Sequence, residues 1–167
     1  MERKIEVGHV SMNINADFKS FTCAFELLLG NLDRSVFNET DPSIIEKCLK
    51  EMSGEEDLML FEVLDHGNLL NIIGSPRKAK QYVIGNPLTA IEMTRHDIRA
   101  GLYAPLRMFV YETDNQSTRI DFDQPSSLFG QFNNPNVTTV AQSLDKKLVN
   151  LIQEAESLAK YPNNDID

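Results

Sequence analysis

The chain is poor in the features that most quickly betray a function. It has two cysteines in 167 residues, Cys23 and Cys48, both on stretches with helical spacing, and neither has the close partner of a zinc knuckle or a redox pair. A reduced protein of the cytoplasm fits that usage. Positive charge is also short: 16 Lys and Arg against 25 Asp and Glu leave a net charge of −9, which repels phosphate backbones and anionic lipid. Nucleic acid and membrane are therefore excluded as expected partners. No apolar run approaches the length of a bilayer span, and Met1-Glu2-Arg3-Lys4-Ile5 is not a secretory leader, so the three glycosylation-like triplets are chance matches. There is no Ser-centred elbow, dinucleotide glycine fingerprint or His-x-x-x-His spacing, and His9, His66 and His96 lie far apart in sequence. Gly74-Ser75-Pro76-Arg77-Lys78 lacks the spaced glycines of a P-loop. No cofactor and no metal are expected.

What is present is ordinary globular material, 41% apolar and 25% charged. A chain of this size forms one domain and buries roughly 70% of its unfolded surface. A single α+β domain over 1–162 is expected, with a frayed tail over 163–167.

Periodicity predicts the elements. Ile5, Val7, His9 and Ile14 alternate weakly through 4–14, as in a half-buried strand. Asp17 is placed to cap a helix whose stripe is Phe18, Phe21, Phe25, Leu28, Leu29 and Leu32. Cys23 and Leu27 point away from that stripe, so a second helix, from Asp41 and Pro42 to Met52 and closed by Gly54, is expected to pack on the back of the first. Leu58–Leu64 and Lys80–Ile84 read as interior strands, with a short helix before Gly74-Ser75-Pro76. A hairpin follows, Leu106–Tyr111 with Thr118–Phe122 around Asp114-Asn115. A long helix carrying Val140, Leu144, Leu148, Leu151, Ile152, Ala155 and Leu158 ends the domain, with Thr138 and Thr139 as caps. Residues 88–104 read as a partly helical excursion over one end of the sheet. The expected architecture is two layers, with a mainly antiparallel sheet.

Three pieces stand out: Leu64-Asp65-His66, Val83-Ile84-Gly85-Asn86-Pro87, and Pro105-Leu106-Arg107-Met108-Phe109-Val110-Tyr111-Glu112. With Asp121-x-Asp123-Gln124-Pro125 and the terminal helix, their order over roughly 58–152 resembles the family catalogued as domain of unknown function 302. The resemblance implies a strand, a helix, several antiparallel strands and a terminal helix. It also implies a homodimer. It places the family's Asp-His pair on Asp65 and His66, its Gly-Asn-Pro turn on Gly85, Asn86 and Pro87, and a looser turn on Asp123, Gln124 and Pro125. Tyr103-Ala104-Pro105 stands where the family usually has Asp-Leu-Pro, so no role for that acidic residue carries over. The 41–52 helix reads as an addition to the pattern. No established activity comes with the resemblance.

Polar residues at strand ends are where sites form, and each candidate has two readings. Asp65 beside His66 makes an acid/base pair if the strand has ended there, or a helix cap with a backbone-bonded imidazole. Gly85-Asn86-Pro87 holds a ligand through the Asn86 amide, or serves as a turn. Arg95, His96 and Arg99 bind an anion, or form a solvated face paired with Glu92 and Asp97. The leading expectation is a small-molecule pocket shared by Asp65, His66 and Asn86, used for binding. The competing one is an enzyme with His66 as general base, oriented by Asp65, and Asn86 polarising a carbonyl.

Overall fold

The structure, a computed structural model, describes residues 4–160; the expected frayed tail, 163–167, lies outside them. The chain runs β1 (His9–Ile14), α1 (Phe18–Leu28), β2 (Gly30–Asn31), α2 (Pro42–Met52), β3 (Met59–Asp65), α3 (His66–Leu70), β4 (Ala79–Gly85), α4 (Pro87–Thr94), β5 (Leu106–Glu112), β6 (Thr118–Asp123), α5 (Pro125–Phe129) and α6 (Pro135–Lys160), with short 3-10 turns between. One six-stranded sheet has the order β1-β6-β5-β4-β3-β2. Only β2 with β3 is parallel. This is an α+β fold.

Because side chains alternate along a strand, one face of the sheet collects Ile14, Tyr82, Ile84, Met108, Val110, Ile120 and Phe122. They pack against Phe18, Phe21 and Phe25 of α1 and Leu148, Leu151 and Ile152 of α6. The opposite face carries Glu62, Leu64, Gln81, Val83, Arg107, Phe109, Tyr111, Arg119 and Asp121, and His66 of α3 packs on Phe109 there.

Local chemistry sets the ends. Asp17 accepts from the Lys19 and Ser20 amides, capping α1 as expected. The first strand begins only at His9, so Val10, Met12 and Ile14 form its inner row and His9 points outward. The last helix starts earlier than Thr138: Asn134 takes the Asn136 amide and Pro135 occupies the first turn. The 88–104 excursion is α4 followed by a 3-10 turn over Ile98–Tyr103. β3 is less interior than expected, because its neighbour β2 is two residues long and leaves Glu62, Leu64 and Asp65 exposed.

The second helix does not cover the first. Leu27 is 75% exposed and Cys23 is exposed, while α2 lies beside the Arg34–Asn38 turn and α4 and buries only Leu49. The reason is backbone pairing. The Leu58 carbonyl accepts from both Gly30 and Gly54, at 3.0 and 3.1 Å, which draws the chain toward the far sheet edge directly after α1. At that crossing a Cβ on Gly54 would collide with the Gly30 amide, and one on Gly30 with the Met52 carbonyl. Gly54→Ala is expected to cost about 2 to 3 kcal/mol through this overpacking, read as a lowered midpoint in urea unfolding.

Tyr82 ties α1 to the sheet. It is fully buried, meets Phe25 edge-on at 5.1 Å, and donates to Glu26 Oε1 at 2.7 Å, where Lys80 Nζ also binds at 2.8 Å. Burial first, and then the Glu26 carboxylate, hold the phenol far above its ordinary value of 10.0. The unfolded chain releases that proton near pH 10.0 and the folded one does not, so this group's contribution is present below pH 10.0 and declines as pH rises beyond it. Tyr82→Phe should remove that part of the alkaline decline. At neutral pH it should cost about 1 kcal/mol for a bond to a partly exposed carboxylate. Denaturant titrations of both proteins at neutral and alkaline pH test both statements.

Candidate functional site

The register of β3 on β4 decides which residues meet. Asp65 pairs with Lys80 and Met59 with Gly85, so the strands run opposite ways and their C-terminal ends lie at opposite ends of the sheet. Gly85 lies five steps along the strand from Lys80, roughly 17 Å at about 3.4 Å per step. Asp65 and His66 therefore do not share a hollow with Asn86, and the arrangement in which Asn86 polarises a carbonyl attacked through His66 is not formed.

At the first end, both Asp65 oxygens serve Asn68: its amide at 2.8 Å and its side-chain nitrogen at 3.0 Å. Asp65 is the cap of α3. His66 occupies the first helical position, with its ring edge-on to Phe109 at 5.5 Å. Its Nε2 is buried and has no partner among the described residues.

At the second end, Gly85, Asn86 and Pro87 line a cavity of about 200 Å³ together with Leu32, Phe37, Phe61, Thr89, Ala90, Met93, Ala104, Pro105, Leu106, Phe129 and Leu144. Asn86 is largely spent on structure. Its Oδ1 caps α4 by accepting the Leu88 amide at 2.8 Å, and its Nδ2 donates to the Asp57 carbonyl at 2.8 Å and to Ser53 Oγ at 3.1 Å. One carbonyl lone pair remains. No lining residue carries a charge, so the cavity suits an apolar guest and offers nothing to an ion.

Arg95 and His96 do not reach this cavity. They sit exposed at the far end of α4, where Arg95 Nε meets His96 Nε2 at 3.2 Å, Asn136 Nδ2 lies 3.4 Å from His96 Nδ1 and Asn134 donates to the His96 backbone carbonyl. Arg99 is bound by both oxygens of Asp97, as in the solvated-face reading, and that bond holds the Asp97 carboxyl below its usual range. Among the described residues, no three or more His, Cys, Asp or Glu are grouped to hold a metal ion, and no helix is long and apolar enough to cross a membrane.

The sequence reading missed most of the cavity wall. Pro87, Ala90 and Met93 recur at helical spacing on α4, a signal obscured by the charged cluster that follows them. Phe61 reaches the cavity because β3 carries a bulge: Leu60 pairs with Ile84 and Glu62 with Val83, leaving Phe61 extra. A bulge re-aims a side chain, and no residue pattern announces it. Phe37 comes from the turn before α2, and Phe129 from α5, an element not expected.

The model of the family Domain of unknown function DUF302 matches residues 37–155. No curated protein matches the chain. Among solved structures, the chain is similar to the uncharacterized conserved protein DUF302 from Bacillus stearothermophilus, with a TM-score of 0.63 and 16% identity over 88% of this chain and 97% of that one. That likeness speaks for the fold alone. With its motifs in order on this sheet and the family model covering most of its length, the chain belongs to the DUF302 family, whose members have no assigned function in that description.

Proposed function

We propose that this chain is a cytoplasmic homodimer that binds a small apolar molecule, without turnover, in the cavity beside α4. The observation that carries the reading is the cavity itself: largely apolar walls from five separate parts of the chain converge around Gly85, Asn86 and Pro87, with no charged or imidazole side chain among them. The strand-end position of the ligand site is retained from the sequence, with the His66 half removed. The two unpaired cysteines, one of them exposed, accord with a reducing compartment.

Dimerisation is supported by the sheet face opposite α1 and α6. Leu64 is 40% exposed there, and Phe109 stacks on Tyr111 at 5.6 Å. Around them Arg107 and Arg119 alternate with Glu62, Asp121 and Asp123, a rim able to pair with a second copy of itself. Leu64→Lys should shift a dimer toward monomer without unfolding it, read by light scattering across dilution. An unchanged mass would remove this face from the proposal.

Binding is tested with toluene as probe. It should raise the melting temperature of the wild-type protein and perturb the NMR signals of Ala90 and Met93, and Ala90→Trp or Thr89→Trp should abolish both effects by filling the space. Equal effects in the filled variants would refute the site. Asn86→Ala behaves differently: losing a cap and two bonds, it should lower stability by roughly 2 kcal/mol, seen in urea unfolding, because its amide serves the fold.

A further inference from the structure

The cavity wall is specific enough to name a ligand class, an inference that rests on the binding role proposed above. Three phenylalanines reach it from unrelated elements: Phe37 from the turn before α2, Phe61 from the β3 bulge and Phe129 from α5, with the Met93 side chain alongside. Rings attract rings through edge-to-face and offset contacts, and a thioether adds to such contacts, so this wall favours a flat aromatic guest over a flexible chain of equal volume. A flexible chain also loses more rotational freedom on entry.

Size sets a bound. A dry cavity of roughly 150 Å³ takes a benzene ring, so about 200 Å³ here admits one substituted ring or a compact fused pair. Charge sets another. Bringing a carboxylate or ammonium into this wall leaves it without a counter-ion, which disfavours a charged guest. The protein's net charge of −9 further disfavours an anion.

The polar contacts are then few. Both Asn86 amide hydrogens are taken by Ser53 and Asp57, so its remaining capacity is as an acceptor. Thr89, the other polar residue in the wall, makes no side-chain bond among the described residues and can accept as well as donate. Together they suit a guest that donates one hydrogen bond. We infer that the cavity takes an uncharged aromatic molecule of one ring or one fused pair bearing a single hydroxyl or N–H, of the phenol or indole class.

The test is a titration of the full-length protein with five probes, phenol, indole, toluene, benzoate and n-hexanol, followed by NMR at neutral pH. Phenol and indole should bind at least tenfold tighter than benzoate and n-hexanol and several-fold tighter than toluene. Thr89→Val should erase their advantage over toluene while leaving toluene binding intact. Benzoate or n-hexanol binding as tightly as indole would overturn the class, as would toluene matching phenol in the wild-type protein. In those cases binding still occurs and the site survives. If no probe perturbs the cavity residues, the class and the binding role fall together.

Discussion

The antiparallel pairing of β3 with β4 is the constraint on which the rest of the molecule depends. Its register, Asp65 on Lys80 and Met59 on Gly85, sends the two polar strand ends to opposite ends of the sheet. The Asp-His end then opens into α3 on the face opposite α1 and α6, where His66 packs on Phe109. The Gly-Asn-Pro end opens into α4, against the loop that leads from α2 to β3. A parallel arrangement would have brought both ends together and would have required a long crossover. The short helical connection of residues 66–78 instead allows the strands to reverse.

From this pairing follows the role of Asn86 as a joint. Its side chain binds Ser53 and Asp57 while capping α4, so one amide connects the end of α2, the loop before β3 and the start of the helix that walls the cavity. That loop is under strain, since Glu56 and Asp57 both have positive φ, a conformation that costs a non-glycine residue of order 1 kcal/mol or more. Lys147 of α6 offsets it by donating to the Glu56 carbonyl at 2.9 Å and the Asp57 carboxylate at 2.7 Å, and Asn150 adds a bond to Glu56. The strained turn is held from two sides, and through Asn86 it fixes the start of α4. For the binding role proposed above, a wall fixed in advance lowers the entropy lost on binding.

The legible part of the sequence was what depends on local chemistry and period. Asp17, Asp41 and the β5–β6 hairpin each rest on residues within a few positions of one another, and the core stripes of α1 and α6 rest on helical spacing. What was not legible depends on pairing between distant segments. Whether α2 covers Leu27 is decided by the Leu58 carbonyl meeting Gly30 and Gly54, which no stripe on α2 reveals. Whether Asp65 and Asn86 meet is decided by strand direction, and an apolar run reads the same forwards and backwards. The candidate site was therefore half visible: its rim, Gly85 to Pro87, carries turn chemistry, while its wall is assembled from residues indistinguishable from core.

The two motifs that make the family recognisable turn out to have one kind of job. Asp65 starts α3 and Asn86 starts α4, each by taking an amide of the first turn. Side chains committed to caps are poor places to vary, because losing one costs the helix it begins. If the cavity holds a guest as proposed above, variation in that guest has to come from positions that touch the cavity without holding the fold. Leu32 and Phe37 are such positions: both lie before or at the first residue of the family match, on the stretch between β2 and α2, and Phe37 is half exposed. A scaffold that keeps Gly85, Asn86 and Leu144 in place while exchanging that outer wall could change its guest without disturbing the sheet. The recognisable residues thus keep the fold, and under the proposed binding role the unremarkable apolar ones would carry the selectivity.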